Sequence, residues 1–292
     1  MKTISRLRNI IPTVVGYVSH VSKMFGHWYQ KGKMHAKHLV ALGLGSVFRY
    51  SDTELPEELE DRKLLKILGY KSAPDHSAFS KVRKEVGEEI IGKVTELIVQ
   101  ELYKGRTVSL MAIDSTYIPY YFDDDKDAVW GYATLKKKEQ EFLREKKAKG
   151  LKRGYKLHLI YDVETRIPLY WIVLPANVHD KDAFKTLFDY VRMHFRFAHN
   201  AKFLADSAYD SRDVRFTLME NRIIPVIAVN GRGHYRSSIP KDKDYRKRTG
   251  IERFFSLLKM KLNLLNVRVK GIQKVTAHVF GCMLGYLLKY II

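Results

Sequence analysis

Three carboxylates in this chain stand where they could hold a hard divalent cation. Asp114 closes the run LMAID and Asp206 closes KFLAD, each an apolar stretch of strand type that ends in an acid. Glu252 is the single acidic side chain between Tyr245 and the C-terminal Ile292, in the most basic part of the chain. An Asp after a strand commonly caps a turn or helix, and either Asp alone reads that way. Together with Glu252 they read as a set, because the strand ends of an open α/β sheet gather at one edge, where an acid from a neighbouring helix can join them. Three oxygen ligands without His or Cys suit Mg2+ or Mn2+ rather than zinc. The chemistry of such a set is two-metal phosphoryl transfer.

The surroundings of Glu252 add cations. In YRKRTGIERFFSLLK, at about 100° per residue, Ile251, Phe254, Phe255, Leu258, Leu262 and Leu265 form one apolar stripe. Tyr245, Arg248, Glu252 and Lys259 fall within an arc of about 60° beside it, if the helix is already formed at Tyr245 despite Gly250. Taken alone, Arg248 and Glu252 also read as an exposed i,i+4 ion pair, worth at most about 0.5 kcal/mol.

The elements that must position these groups change character along the chain. Residues 1 to about 104 carry apolar residues at helical spacing, with Pro74, Asp75 and Ser77 as a start signal, and no acid precedes Asp52. An all-α N-terminal domain is expected, for DNA binding or dimerisation or as a helical cap. From residue 105 to 292 the period changes to that of strands. TVSLMAIDSTYIPYY, YKLHLIYDVET and IPLYWIVLPANV read as three consecutive strands, the last two joined by a tight hairpin. Helix, strand, helix, strand and the Glu252 helix follow, so a mixed sheet with flanking helices is expected. A charged insertion at about 122–154 separates the first two strands. Within it DDDKD reads as solvated and Trp130 as a packed aromatic. His179, Asp180 and Asp182 read as a helix start with capping acids.

With 52 Lys and Arg against 32 Asp and Glu, the formal charge is +20, which points to a polyanionic partner. Double-stranded DNA fits better than a membrane, since no apolar run reaches the roughly 20 uninterrupted residues of a span. Lys152, Arg153 and Lys156 are expected to line its path through phosphate contacts. The one cysteine, Cys282, lies in an apolar C-terminal segment that reads as a buried helix, and it can form neither an internal disulfide nor a thiolate metal site. A cytoplasmic protein is expected.

The chain resembles the DDE transposases of bacterial and archaeal insertion sequences, families four and five in particular. Tyr245, Arg248, Glu252 and Lys259 match the spaced Tyr-Arg-Glu-Lys signature of that family. AIDST, GYKLHLIYD, NVHDKDAF and LADSAYDS are similar pieces, as are LLKILGY and APDHSAFSKVR upstream, while residues 1–50 match nothing nameable. The resemblance implies a ribonuclease-H-like catalytic domain with Asp114, Asp206 and Glu252 as the catalytic, metal-binding triad. It also implies Tyr245, Arg248 and Lys259 on transposon-end DNA, Lys259 near a phosphate beside the scissile bond. Cleavage of transposon ends and joining of their 3′-hydroxyls to target DNA would follow, with two Mg2+ or Mn2+ ions per site and a homodimer once the ends are synapsed. Two other readings remain. A ribonuclease-H-like nuclease or resolvase would use the same triad without joining ends. A domesticated noncatalytic DNA-binding protein would be expected to have lost an acid, and all three are present.

Overall fold

The computed structural model describes residues 11–16, 19–20, 29–51, 53–61, 63–85, 87–132, 151–231 and 238–288. The helices are α1 (Tyr29–Phe48), α2 (Leu55–Asp61), α3 (Leu65–Leu68), α4 (His76–Glu85), α5 (Gly87–Leu102), α6 (Asp180–His194), α7 (Arg212–Glu220), α8 (Thr249–Lys261) and α9 (Ile272–Tyr286). The strands are β1 (Val108–Pro119), β2 (Val129–Tyr132), β3 (Leu151–Asp162), β4 (Ile167–Pro175), β5 (Phe197–Ala205) and β6 (Ile224–Ile227). Two compact units divide the chain, residues 1–98 with 257–292 and residues 99–256.

The first unit is helical. The break at 98/99 lies close to the expected change near residue 104, and residues 257–292 group with the N-terminal helices. The reason is α9, buried at every position from Val275 to Tyr286 and packed against α1 and α4. A helix apolar all round needs neighbours all round. Among the described residues no helix is long and apolar enough to cross a membrane.

The second unit is built on one mixed sheet. β1 pairs antiparallel with β3 and parallel with β5; β3 also pairs with β4, and β5 with β6. The expected strands are all present. β2, at the start of the charged insertion, was not foreseen; it pairs with the first residues of β3, Trp130 opposite Arg153. Residues 133–150 of that insertion lie outside the described residues. β1 is central, and Leu110 to Ile113 are buried on both faces, which is why four apolar residues run together there without alternation. α6 covers one face, where Phe184 and Phe188 meet Phe203 edge to face. On the other, Phe254 of α8 packs on Tyr161 of β3.

Candidate active site

Ala112 of β1 is level with Leu204 of β5 in a parallel pair, so Asp114 and Asp206, each two residues further on, come out side by side, Asp206 just past the end of β5 and Asp114 within β1, which does not end there but runs on beside β3 to Pro119. Strands lie about 4.8 Å apart, which brings the two acids within electrostatic reach. Asp206 leaves β5 as the N-cap of a short 3-10 turn over Ser207–Tyr209, its Oδ1 accepting from the Ala208 amide at 2.9 Å. The capping and site readings are thus compatible in one residue. Asp210 secures the far side of the turn by accepting from Arg215 and from the Asn230 amide, each at 2.8 Å.

Glu252 stands in the first turn of α8 and is half exposed. The helix does not begin at Tyr245. Lys243–Arg248 form a 3-10 segment, fastened to β5 by Lys202, whose Nζ meets Asp242 at 2.9 Å and Asp244 at 2.7 Å. The single 100° wheel drawn from Tyr245 therefore does not apply, yet Arg248 still reaches Glu252, Nη2 to Oε1 at 2.6 Å. It also reaches Asp114, Nη1 to Oδ2 at 3.1 Å. The i,i+4 pair exists, and it is one half of a bridge between two of the three acids. Tyr245 is near enough for its hydroxyl to act on the charge of Arg248. Lys259 lies one to two turns beyond Glu252 in α8. In the predicted apolar stripe Ile251, Phe254, Phe255, Leu258 and Leu262 are buried, but Leu265 is 45% exposed because the helix stops at Lys261.

Burial pushes the Asp114 carboxyl up to about 7, with the charge of Asp206 adding to the effect and the Ser115 amide and Arg248 opposing it. Burial raises Asp206 as well, against the Ala208 amide and Arg248, with Asp180 and Glu252 raising it further. For Arg248, burial works against the charged form, but Asp114 and Glu252 outweigh it and hold the guanidinium above its ordinary value. The site carries more negative charge than Arg248 offsets. Such a set of hard oxygen donors fits a divalent cation such as Mg2+ or Mn2+. In this conformation Arg248 stands against two of the donors, and among the described residues no three His, Cys, Asp or Glu side chains are close enough to share one ion.

A fourth acid, read from sequence as a cap, lies beside this group. His179 is the N-cap of α6 and makes no side-chain cap bond, so Asp180 is the first helical residue. Its Oδ1 accepts from Ser115 Oγ at 2.8 Å and lies 3.4 Å from Lys156 Nζ and 3.5 Å from His158 Nδ1. The signal was present in β3: Lys156 and His158 are polar at a spacing of two and alternate with the apolar Tyr155, Leu157 and Leu159, which marks one face as having a polar partner.

The basic residues of β3 are engaged within the protein. Lys156 is 11% exposed on its side chain. Arg153 donates to the carbonyls of Ala128, Asp123 and Asp125 and stacks over Tyr120, which ties down residues 120–128. Lys152 places its ammonium over the Tyr117 ring. Of the DDDKD run, Asp125 is buried and accepts from the Tyr155 hydroxyl at 2.7 Å, so it is structural rather than solvated. Trp130 is 61% exposed, not packed, because its strand lies at the margin of the sheet.

A family model described as a transposase DDE domain matches residues 105–288. Among solved structures the chain is similar to the piggyBac transposase in a synaptic complex with hairpin DNA, with a TM-score of 0.50 and 12% identity over 99% of this chain and 71% of that one. It also aligns with the Mos1 strand transfer complex at 16% identity over 84% of this chain and 80% of that one, with a TM-score of 0.26. No curated protein matches the chain. At 12% identity the likeness to the piggyBac transposase speaks for the fold alone, which is ribonuclease-H-like.

Proposed function

Because the chain belongs to the transposase DDE-domain family and is a DNA-cleaving, strand-transferring transposase, we propose that Asp114, Asp206 and Glu252 are its catalytic, metal-binding acids. The observation that carries this reading is that Asp114, within β1 just past the stretch paired with β5, stands beside Asp206 at the end of β5, with Arg248 bridging Asp114 to Glu252.

Two Mg2+ or Mn2+ ions held by these acids would supply Lewis-acid stabilisation to the attacking and leaving oxygens of an in-line displacement at phosphorus. The chain's own residues provide the rest. Asp114 and Asp206 enter on the rigid sheet, whereas Glu252 enters on a helix turn and is half exposed, so it is the acid with most freedom to adjust. Arg248 holds Asp114 and Glu252 in the metal-free protein and, with Tyr245 and Lys259, binds the phosphates of transposon-end DNA once those are present. Residues 1–104 contribute to end recognition or to assembly of a homodimer on two ends. The Tyr-Arg-Glu-Lys spacing, which resembles that of insertion-sequence families four and five, supports placing the chain among that type.

The test is cleavage of a labelled end duplex in Mg2+. Asp114→Ala, Asp206→Ala and Glu252→Ala should each abolish cleavage and keep duplex binding in chelator. Full cleavage by the Asp206→Ala protein, or by the parent in chelator, would remove the assignment.

A further inference from the structure

We propose that Asp180 is a positioning residue that sets the orientation of the Asp114 carboxylate through Ser115. This rests on the reading of Asp114 as a metal ligand. Ser115 is bonded to both acids. Its hydroxyl donates to Asp180 Oδ1 at 2.8 Å, and its backbone N–H donates to Asp114 Oδ1 at 2.8 Å. The pairing of β1 with β5 has ended at Ala112, so at Ser115 the strand lacks that neighbour and a side-chain anchor takes its place.

Asp180 is well built as that anchor. Ser115 and His158 are directly opposite in the β1–β3 ladder and Lys156 is two residues along, so all three side chains leave the same face and converge on one carboxylate oxygen. Asp114, one residue away, projects to the other face. Asp180 is therefore not a fourth metal ligand held in reserve: its charge is met by the largely buried ammonium of Lys156, and its near oxygen is taken. Two fully buried polar groups point to how finely its place matters. Neither His158 ring nitrogen nor the Tyr209 hydroxyl has a hydrogen-bond partner among the described residues. His158 Nδ1 misses Asp180 by about half an ångström relative to an ordinary bond. Tyr209 is held protonated by burial and then by the charges of Asp180, Asp114 and Asp206.

The experiment is Mn2+ titration of the full-length, DNA-free protein by calorimetry, with the melting temperature and the affinity for an end duplex in chelator measured alongside. Ser115→Ala and Asp180→Ala should each weaken Mn2+ binding by on the order of tenfold, as loss of an outer-shell partner does. The double variant should be no weaker than Asp180→Ala, because the two act in series. Asp180→Asn keeps an acceptor oxygen for Ser115 and should recover most of the affinity. DNA affinity in chelator should not move. Parent-like Mn2+ affinity in Ser115→Ala, while Asp114→Asn loses it, would overturn the link and leave the metal reading standing; this arm holds even if Asp180→Ala fails to fold. Unchanged Mn2+ affinity in Asp114→Asn would overturn both. Additive losses in the double variant would also overturn it.

Discussion

Arg248 reaches across 134 residues of sequence to Asp114, Nη1 to Oδ2 at 3.1 Å, while its other terminal nitrogen holds Glu252 at 2.6 Å. This guanidinium is a counter-ion shared by two acids of the candidate site. A phosphate and a carboxylate compete for the same planar fork of donors, so DNA and the site acids draw on one residue.

Replacing Arg248 with Ala should therefore act twice. End-duplex affinity in chelator should weaken and its log-log salt slope should fall by roughly 0.9, the contribution of one phosphate contact. The Asp114 carboxyl should move further above its ordinary range, since a group that holds it down is gone. Duplex titrations at several salt concentrations check the first effect, and an unchanged slope would return Arg248 to the role of an internal bridge.

Glu252→Ala removes a negative charge from a basic segment and releases Arg248 from one of its two acids. Metal-free binding of the same duplex should be unchanged or tighter, because repulsion of phosphate is relieved, while cleavage is lost. Weaker duplex binding by this variant in chelator would mean that Glu252 orients Arg248 for DNA rather than serving a metal.

Much of this was legible in the residues, for reasons that differ element by element. Asp114 and Asp206 could be found because each closes an apolar run, although only Asp206 ends its strand: β1 continues past Asp114 to Pro119, and only its pairing with β5 stops at Ala112. Arg248 and Glu252 could be paired by spacing, but the contact of Arg248 with Asp114 spans the fold and leaves no local trace. Asp180 was hidden by its position, since an acid in a first helical turn is already explained by the helix dipole. The C-terminal helix was recognised as buried, but its place beside α1 depends on which surface covers it. The internal partners of Lys156 and Arg153 were illegible for a related reason: a basic side chain in a strand looks the same whether it faces solvent or, as in Arg153, binds three carbonyls of the loop it stabilises.

Metal binding should depend on pH through Asp114. Its carboxyl is pushed up to about 7, and a divalent ion must displace the proton. Affinity for Mn2+ should fall by about tenfold per unit as pH drops below 7 and level off above about 8, one proton being released per ion bound at the lower pH. Calorimetry in buffers of different ionisation heat counts that proton directly. An affinity flat between pH 5.5 and 8.5 would show that the ion displaces no proton from Asp114.

The stability of the metal-free protein contains two opposed contributions from the same region. His158 is fully buried, and burial pushes its imidazole down to about 4, the charge of Asp180 opposing and that of Lys156 adding. A group depressed on folding gives stability that is present above its unfolded value near 6.5 and lost as pH falls toward 4. Asp114 is raised on folding, so its contribution is present below its unfolded value near 3.8 and lost as pH rises toward 7. Between about pH 4 and 6.5 the two slopes oppose, each at most about 1.4 kcal/mol per unit. Urea unfolding in chelator should separate them. Relative to the parent, Asp114→Asn should gain stability as pH rises through this window and His158→Gln should lose it. Difference curves of the same sign for both variants, or flat for His158→Gln, would show that His158 is not held neutral in the folded protein.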